Sequence, residues 1–155
     1  MKRMLLGVGN RLSRDDGAGP VLAVQLSESD WVAVDCGTSL ENVAGIVRRE
    51  QPDLLVVADA ARMGLAPGEV RRLPRPAVDR MLASTHGLPL SFFLDRIESE
   101  TEETIILGIE PADLSFGEGL SKEVADSVAW LVQVLALDSA GIAAVPPFDE
   151  VAAQP

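Results

Sequence analysis

Three runs of almost unbroken apolar residues, at positions 4–8 (MLLGV), 53–58 (DLLVVA) and 104–109 (TIILGI), constrain this chain most. A strand with one wet face alternates apolar and polar residues, whereas a run apolar throughout must be covered on both sides. Stretches of helical spacing alternate with these runs. Ala18, Val21, Leu22 and Leu26 form one apolar stripe, with Pro20 tolerated in the opening turn. Leu90, Phe93, Leu94 and Ile97 form a second behind Pro89, and Val124, Val128, Leu131 and Leu135 a third behind Ser121, a good N-cap residue. Alternation of this kind implies an α/β fold: a single three-layer domain with a mainly parallel, twisted sheet of about five strands and helices on both faces.

The other elements are weaker in pattern. Residues 31–34 (WVAV) read as a second strand, and Thr38 with Glu41 matches a capping box opening a helix that runs to about Arg49. Residues 69–73 follow the Pro67-Gly68 turn, alternate and carry charge, which places them at a sheet edge. A chain of 155 residues suits one domain. After Leu137 the Ala- and Pro-rich remainder has no period, so the expected division is a domain over residues 1–138 and a loose tail over 139–155.

In such sheets ligands gather beyond the carboxyl ends of the strands. The segment 7–20, GVGNRLSRDDGAGP, lies at that edge. Its glycines permit a tight strand-to-helix turn, but Leu12 stands where a dinucleotide-binding G-x-G-x-x-G needs its last glycine. Asp15 and Asp16 can cap the first helix or hold a ligand, and both readings stay open. Asp59 follows an apolar run, where a carboxylate is costly unless paired, hydrogen-bonded or near a cation. His86, the sole histidine, sits in a Thr-His-Gly loop before Pro89. Two acids and one imidazole at strand or loop ends make a site for a divalent metal. Asp35 is a candidate general base or orienting group; Cys36 reads as a small buried residue rather than a nucleophile. There is no H-E-x-x-H helix and no nucleophile-elbow serine.

A net charge of −11 without a basic stripe argues against nucleic acid. No apolar run approaches the ~20 residues of a membrane span, and the basic start MKRMLLGVGN reads as a strand, not a signal peptide. The single cysteine, Cys36, suits a reducing cytoplasm. Arg71, Arg72 and Arg75 offer either a dock for an acidic client or a merely solvated edge.

Taken in order, GVGNRLSRDDGAGP, DCGTS, VVADAARMG with PGEVR, THGLPLSFFLD and LGIEPADL resemble the hydrogenase maturation endopeptidases. The chain looks closest to the branch acting on formate-hydrogenlyase-type or coenzyme F420-reducing hydrogenases, over a stretch from about Met4 to Leu135. One departure is visible: family members often carry two glycines after the aspartate of DCGTS, and here Cys36 takes one of those places.

The resemblance implies an endopeptidase that removes the C-terminal extension of a nickel-iron hydrogenase large-subunit precursor after nickel insertion. It implies that Asp16, Asp59 and His86 contact the metal; Asp16 and Asp59 are also the catalytic candidates, with Asp35 a further candidate from its place at the strand end. Nickel would arrive with the precursor, because its cysteine thiolates outcompete two carboxylates and an imidazole. The expected protein is a cytoplasmic monomer whose partner is that precursor. The same ligands would serve a metal-binding accessory protein without peptidase activity, and the architecture would serve a nucleotide- or small-molecule-binding regulator.

Overall fold

The computed structural model describes residues 1–82, 89–137 and 139–149, and in them the three apolar runs are the inner strands of one sheet. The strands are β1 (Arg3–Val8), β2 (Val32–Gly37), β3 (Leu54–Ala60), β4 (Val70–Leu73) and β5 (Glu103–Ile109), in the order β2-β1-β3-β5-β4. All pairings are parallel except β4 with β5. The central strand, β3, is buried along its whole length, as its apolar run requires.

Side chains that alternate along the strands fill two cores. Leu5, Val56 and Leu107 point toward α1 (Ala18–Leu26) and α5 (Lys122–Leu137). Leu6, Val57 and Ile106 point to the opposite face, covered by α2 (Ala44–Glu50), α3 (Val78–Met81) and α4 (Leu90–Ile97). The stripes read from the sequence on α4 and α5 are the buried faces of those helices. No described helix is long and apolar enough to cross a membrane.

Three local expectations change. Helix α2 begins at Ala44, behind Val43, which has no side chain able to cap it, so the Thr38/Glu41 capping box does not form. Strand β2 continues beyond Val34 through Asp35 and Cys36 to Gly37, where pairing with β1 satisfies the backbone. The stretch after Leu137 is not loose as far as Asp149. Ser139–Ala144 is a 3₁₀ helix, and Ile142, Val145 and Phe148 are buried. Arg72 N–H donates to the Pro146 carbonyl at 2.9 Å and Phe148 N–H to that of Arg72 at 2.8 Å, so this segment covers the outer edge of β4.

Candidate active site

The carboxyl ends of β1 and β3 form the floor of the candidate site. The turn after β1 is forced by close approach. Gly9 has φ +147°, and a Cβ there would collide with the Asp16 carbonyl. A Cβ on Gly19 would lie 2.6 Å from the Val8 carbonyl oxygen and closer still to that of Ala58. The first turn of α1 therefore sits directly on the ends of both strands.

The two adjacent aspartates separate in role. Asp15, fully buried, accepts from Ser121 N–H on Oδ1 at 2.7 Å. Its Oδ2 accepts from Ala112 N–H at 2.8 Å, Asp113 N–H at 3.0 Å and the Ser121 hydroxyl at 2.9 Å. It ties the loop after β5 and the start of α5 to the first turn, so neither capping of α1 nor ligation is its task. Asp16, 5% exposed, accepts from Asn10 N–H at 3.0 Å, just beyond β1. The 3₁₀ turn Arg14–Gly17 that carries it packs on β3.

Asp59 is fully buried at the end of β3, and Oδ1 accepts from Ala60 N–H at 2.7 Å. Gly7 registers with Ala58, so Asp59 is level with Val8 on the neighbouring strand. Period-two alternation from Leu55 and Val57 aims Asp59 at the face of α2–α4. There it lines a cavity of about 620 Å³, together with Val8, Leu40, Leu90, Phe93, Arg48 and Arg96 among others.

Asp35 does not join it. Alternation turns Asp35 to the opposite face from Cys36, and its carboxylate binds Arg11 at 3.1 Å and Gly37 N–H at 3.0 Å. Cys36 is buried, and that burial, with Asp35 beside it, pushes the thiol up to about 12. It stays protonated at neutral pH and is no nucleophile. His86 lies outside the described residues. Among the described residues, no three His, Cys, Asp or Glu side chains cluster closely enough to hold a metal ion. The acids Asp16 and Asp59 thus share one end of the sheet, and the expected imidazole belongs to residues not described.

Two features escaped the sequence reading. Glu110 follows β5 as Asp59 ends β3, and its Oε1 accepts from Met63 N–H and Leu65 N–H, both at 2.9 Å, fixing the loop beside the site. An acid after an apolar run was the available signal. The arginines at 71, 72 and 75 are occupied internally: Arg71 with Glu69 at 3.0 Å, Arg72 with the Val145 carbonyl at 2.8 Å, Arg75 with Asp95 at 2.6 Å and Glu98 at 2.7 Å. They form no free dock. Among the described residues, the cations on the cavity are Arg48 and Arg96.

Residues 21–137 match the family model described as HycI, hydrogenase maturation protease. The hydrogenase 3 maturation protease of Escherichia coli K12 is 35% identical over 139 residues, covering 87% of this chain and 89% of that protein. The solution structure of the Escherichia coli endopeptidase HycI superposes with a TM-score of 0.85 at 32% identity, over 97% of this chain and 98% of the other. The crystal structure of a [NiFe] hydrogenase maturation protease HycI from Thermococcus kodakarensis gives 0.76 at 28% identity, over 88% and 90%.

Proposed function

The chain belongs to the hydrogenase maturation protease family, and from that premise we propose that it removes a C-terminal peptide from a nickel-iron hydrogenase large-subunit precursor once nickel is seated there. The supporting observation is the pair of buried carboxylates, Asp59 at the end of β3 and Asp16 in the 3₁₀ turn after β1 that packs on β3, with Asp59 opening on a cavity of about 620 Å³.

In this reading nickel is part of the substrate. Asp16 and Asp59 offer oxygen ligands and His86 a nitrogen ligand to an ion already held by the precursor's thiolates. Such contact orients the segment that follows the metal, and orientation alone contributes several kcal/mol to lowering a barrier. Water held against a carboxylate then attacks the scissile carbonyl carbon. Its proton passes to the carboxylate and on to the departing amine, leaving a new C-terminal carboxylate on the precursor and a free peptide.

Nickel-free and nickel-loaded precursor, each mixed with the full chain, provide the test by mass spectrometry. Loss of a C-terminal fragment only from the loaded form is expected. The variants Asp16→Asn, Asp59→Asn and His86→Ala should slow trimming by at least about 10²-fold while remaining folded. Equal trimming of the nickel-free form would end the nickel-reading proposal. Nickel-dependent complex formation without any trimming would make the chain an accessory protein.

A further inference from the structure

Two arginines on the cavity make no ion pair among the described residues. Arg48 on α2 and Arg96 on α4 are both exposed and both line it. Among the described residues, neither has a carboxylate within ion-pair distance, while Arg71 and Arg75 are spent on Glu69, Asp95 and Glu98. Arg96 lies over the Phe92 ring, 4.4 Å from its centroid. Stacking of this kind holds the guanidinium at the rim and leaves its in-plane N–H donors available to a carboxylate. In a chain with a net charge of −11, Arg48 and Arg96 set two cations on one cavity. Glu41 and Asp59 are the other charged groups on the described lining.

Between the arginines the lining is mixed, with Leu40, Leu90 and Phe93 supplying apolar wall beside Thr38 and Ser39, and Asp59 on the same cavity. We propose that this groove binds the precursor's peptide through an apolar side chain seated against Leu40, Leu90 and Phe93 and a nearby carboxylate held by Arg48 and Arg96, which brings the adjoining backbone to Asp59. The inference rests on the peptidase reading above and adds to it what the peptide must look like. The two guanidiniums, neither in an ion pair among the described residues, favour a carboxylate on the occupant; the overall negative charge disfavours long polyanions such as nucleic acid or an anionic membrane surface. A volume of about 620 Å³ accommodates a short extended stretch but no folded element.

Short peptides decide this independently of cleavage. N-acetylated, C-amidated Gly-Leu-Asp-Gly is titrated into the ¹⁵N-labelled full chain, beside versions with Lys for Asp and Ser for Leu. The expected result is amide shifts at Leu40, Leu90 and Phe92, with the Leu-Asp peptide binding about tenfold tighter than either other peptide. The double variant Arg48→Glu/Arg96→Glu should reverse the preference toward the Lys peptide, with an unchanged amide spectrum elsewhere showing an intact fold. Equal affinity for all three peptides, or an unreversed preference in the double variant, overturns the proposal.

A second arm follows trimming of nickel-loaded precursor. The double reversal should raise KM about tenfold or more with kcat nearly constant, and Arg48→Lys/Arg96→Lys should restore much of the loss. A fall in kcat with constant KM would assign these arginines to the chemistry and overturn the docking role. If the peptide preference holds while wild-type protein trims no precursor, the groove stands and the peptidase reading fails.

Discussion

At Asp15 four donors converge on one buried carboxylate, and three of them are backbone N–H groups from elements far away in sequence. Removing the acceptor would strand those donors in the interior. Asp15→Ala is therefore expected to cost about 3–5 kcal/mol in urea unfolding. Asp15→Asn should cost about 2 kcal/mol, since its NH₂ must face a donor wherever it is placed. Asp16→Asn retains an oxygen for Asn10 N–H, so its stability should stay within ~1 kcal/mol while trimming is lost. Two neighbouring acids of one charge thus separate into a strut and a candidate ligand. Nothing in the string DDG distinguishes them, because the donors that fix Asp15 come from residues 112–121.

Cys36 gives a second residue-scale expectation. Burial raises its thiol from an ordinary 9.0 to about 12, so the folded state holds the proton more tightly than the unfolded chain. The stabilisation is complete below the unfolded value and disappears as pH rises through the folded one. Between pH 9 and 12 the unfolding free energy of the wild type should fall more steeply than that of Cys36→Ala. The extra slope reaches at most about 1.4 kcal/mol per pH unit. Identical slopes would show that the thiol is not held protonated.

Among the elements, those with a strong period were legible, and those held by tertiary contacts were not. The stripes of α4 and α5 needed only spacing, and the apolar runs of β1, β3 and β5 only length. The Thr38/Glu41 pattern misled because a capping box is a local preference worth ~1 kcal/mol, and the backbone there closes turns instead, Ser39 N–H donating to the Cys36 carbonyl and Val43 N–H to that of Leu40. The segment after Leu137 lacks a period because it joins the sheet edge at a single isolated bridge, Arg72 with Pro147, and pins itself by scattered apolar residues. Replacing Phe148 by Ala should accordingly cost about 3 kcal/mol, a value foreign to a loose tail. Hydrogen exchange at Arg72 N–H, which donates to Pro146, should accelerate in the same variant. The candidate site was legible where a carboxylate ended an apolar run, as at Asp59, and illegible where helices meet across the groove, as at Arg48 and Arg96.

In the molecule as a whole, the sheet separates two cores, and only one of them supports the cavity. Leu131 on α5 and Leu94 on α4 are both fully buried, on opposite faces. Truncating either to Ala removes the same atoms and should cost about 2–5 kcal/mol. Their effects on trimming should nevertheless differ. Leu94 anchors the helix that carries Leu90, Phe93 and Arg96 into the cavity, so a cavity beneath it lets that wall shift relative to Asp59. Displacements near 1 Å are enough to cost ~10²-fold in rate where geometry limits the reaction. Leu131 lies behind β3 and β5, and a closely packed sheet passes little of its relaxation to the far side. At a temperature where both variants are fully folded, kcat/KM for nickel-loaded precursor should drop at least about tenfold for Leu94→Ala and stay near wild type for Leu131→Ala. Equal losses in the two would mean that the catalytic wall depends on both cores, and that the separation seen in the packing does not extend to function.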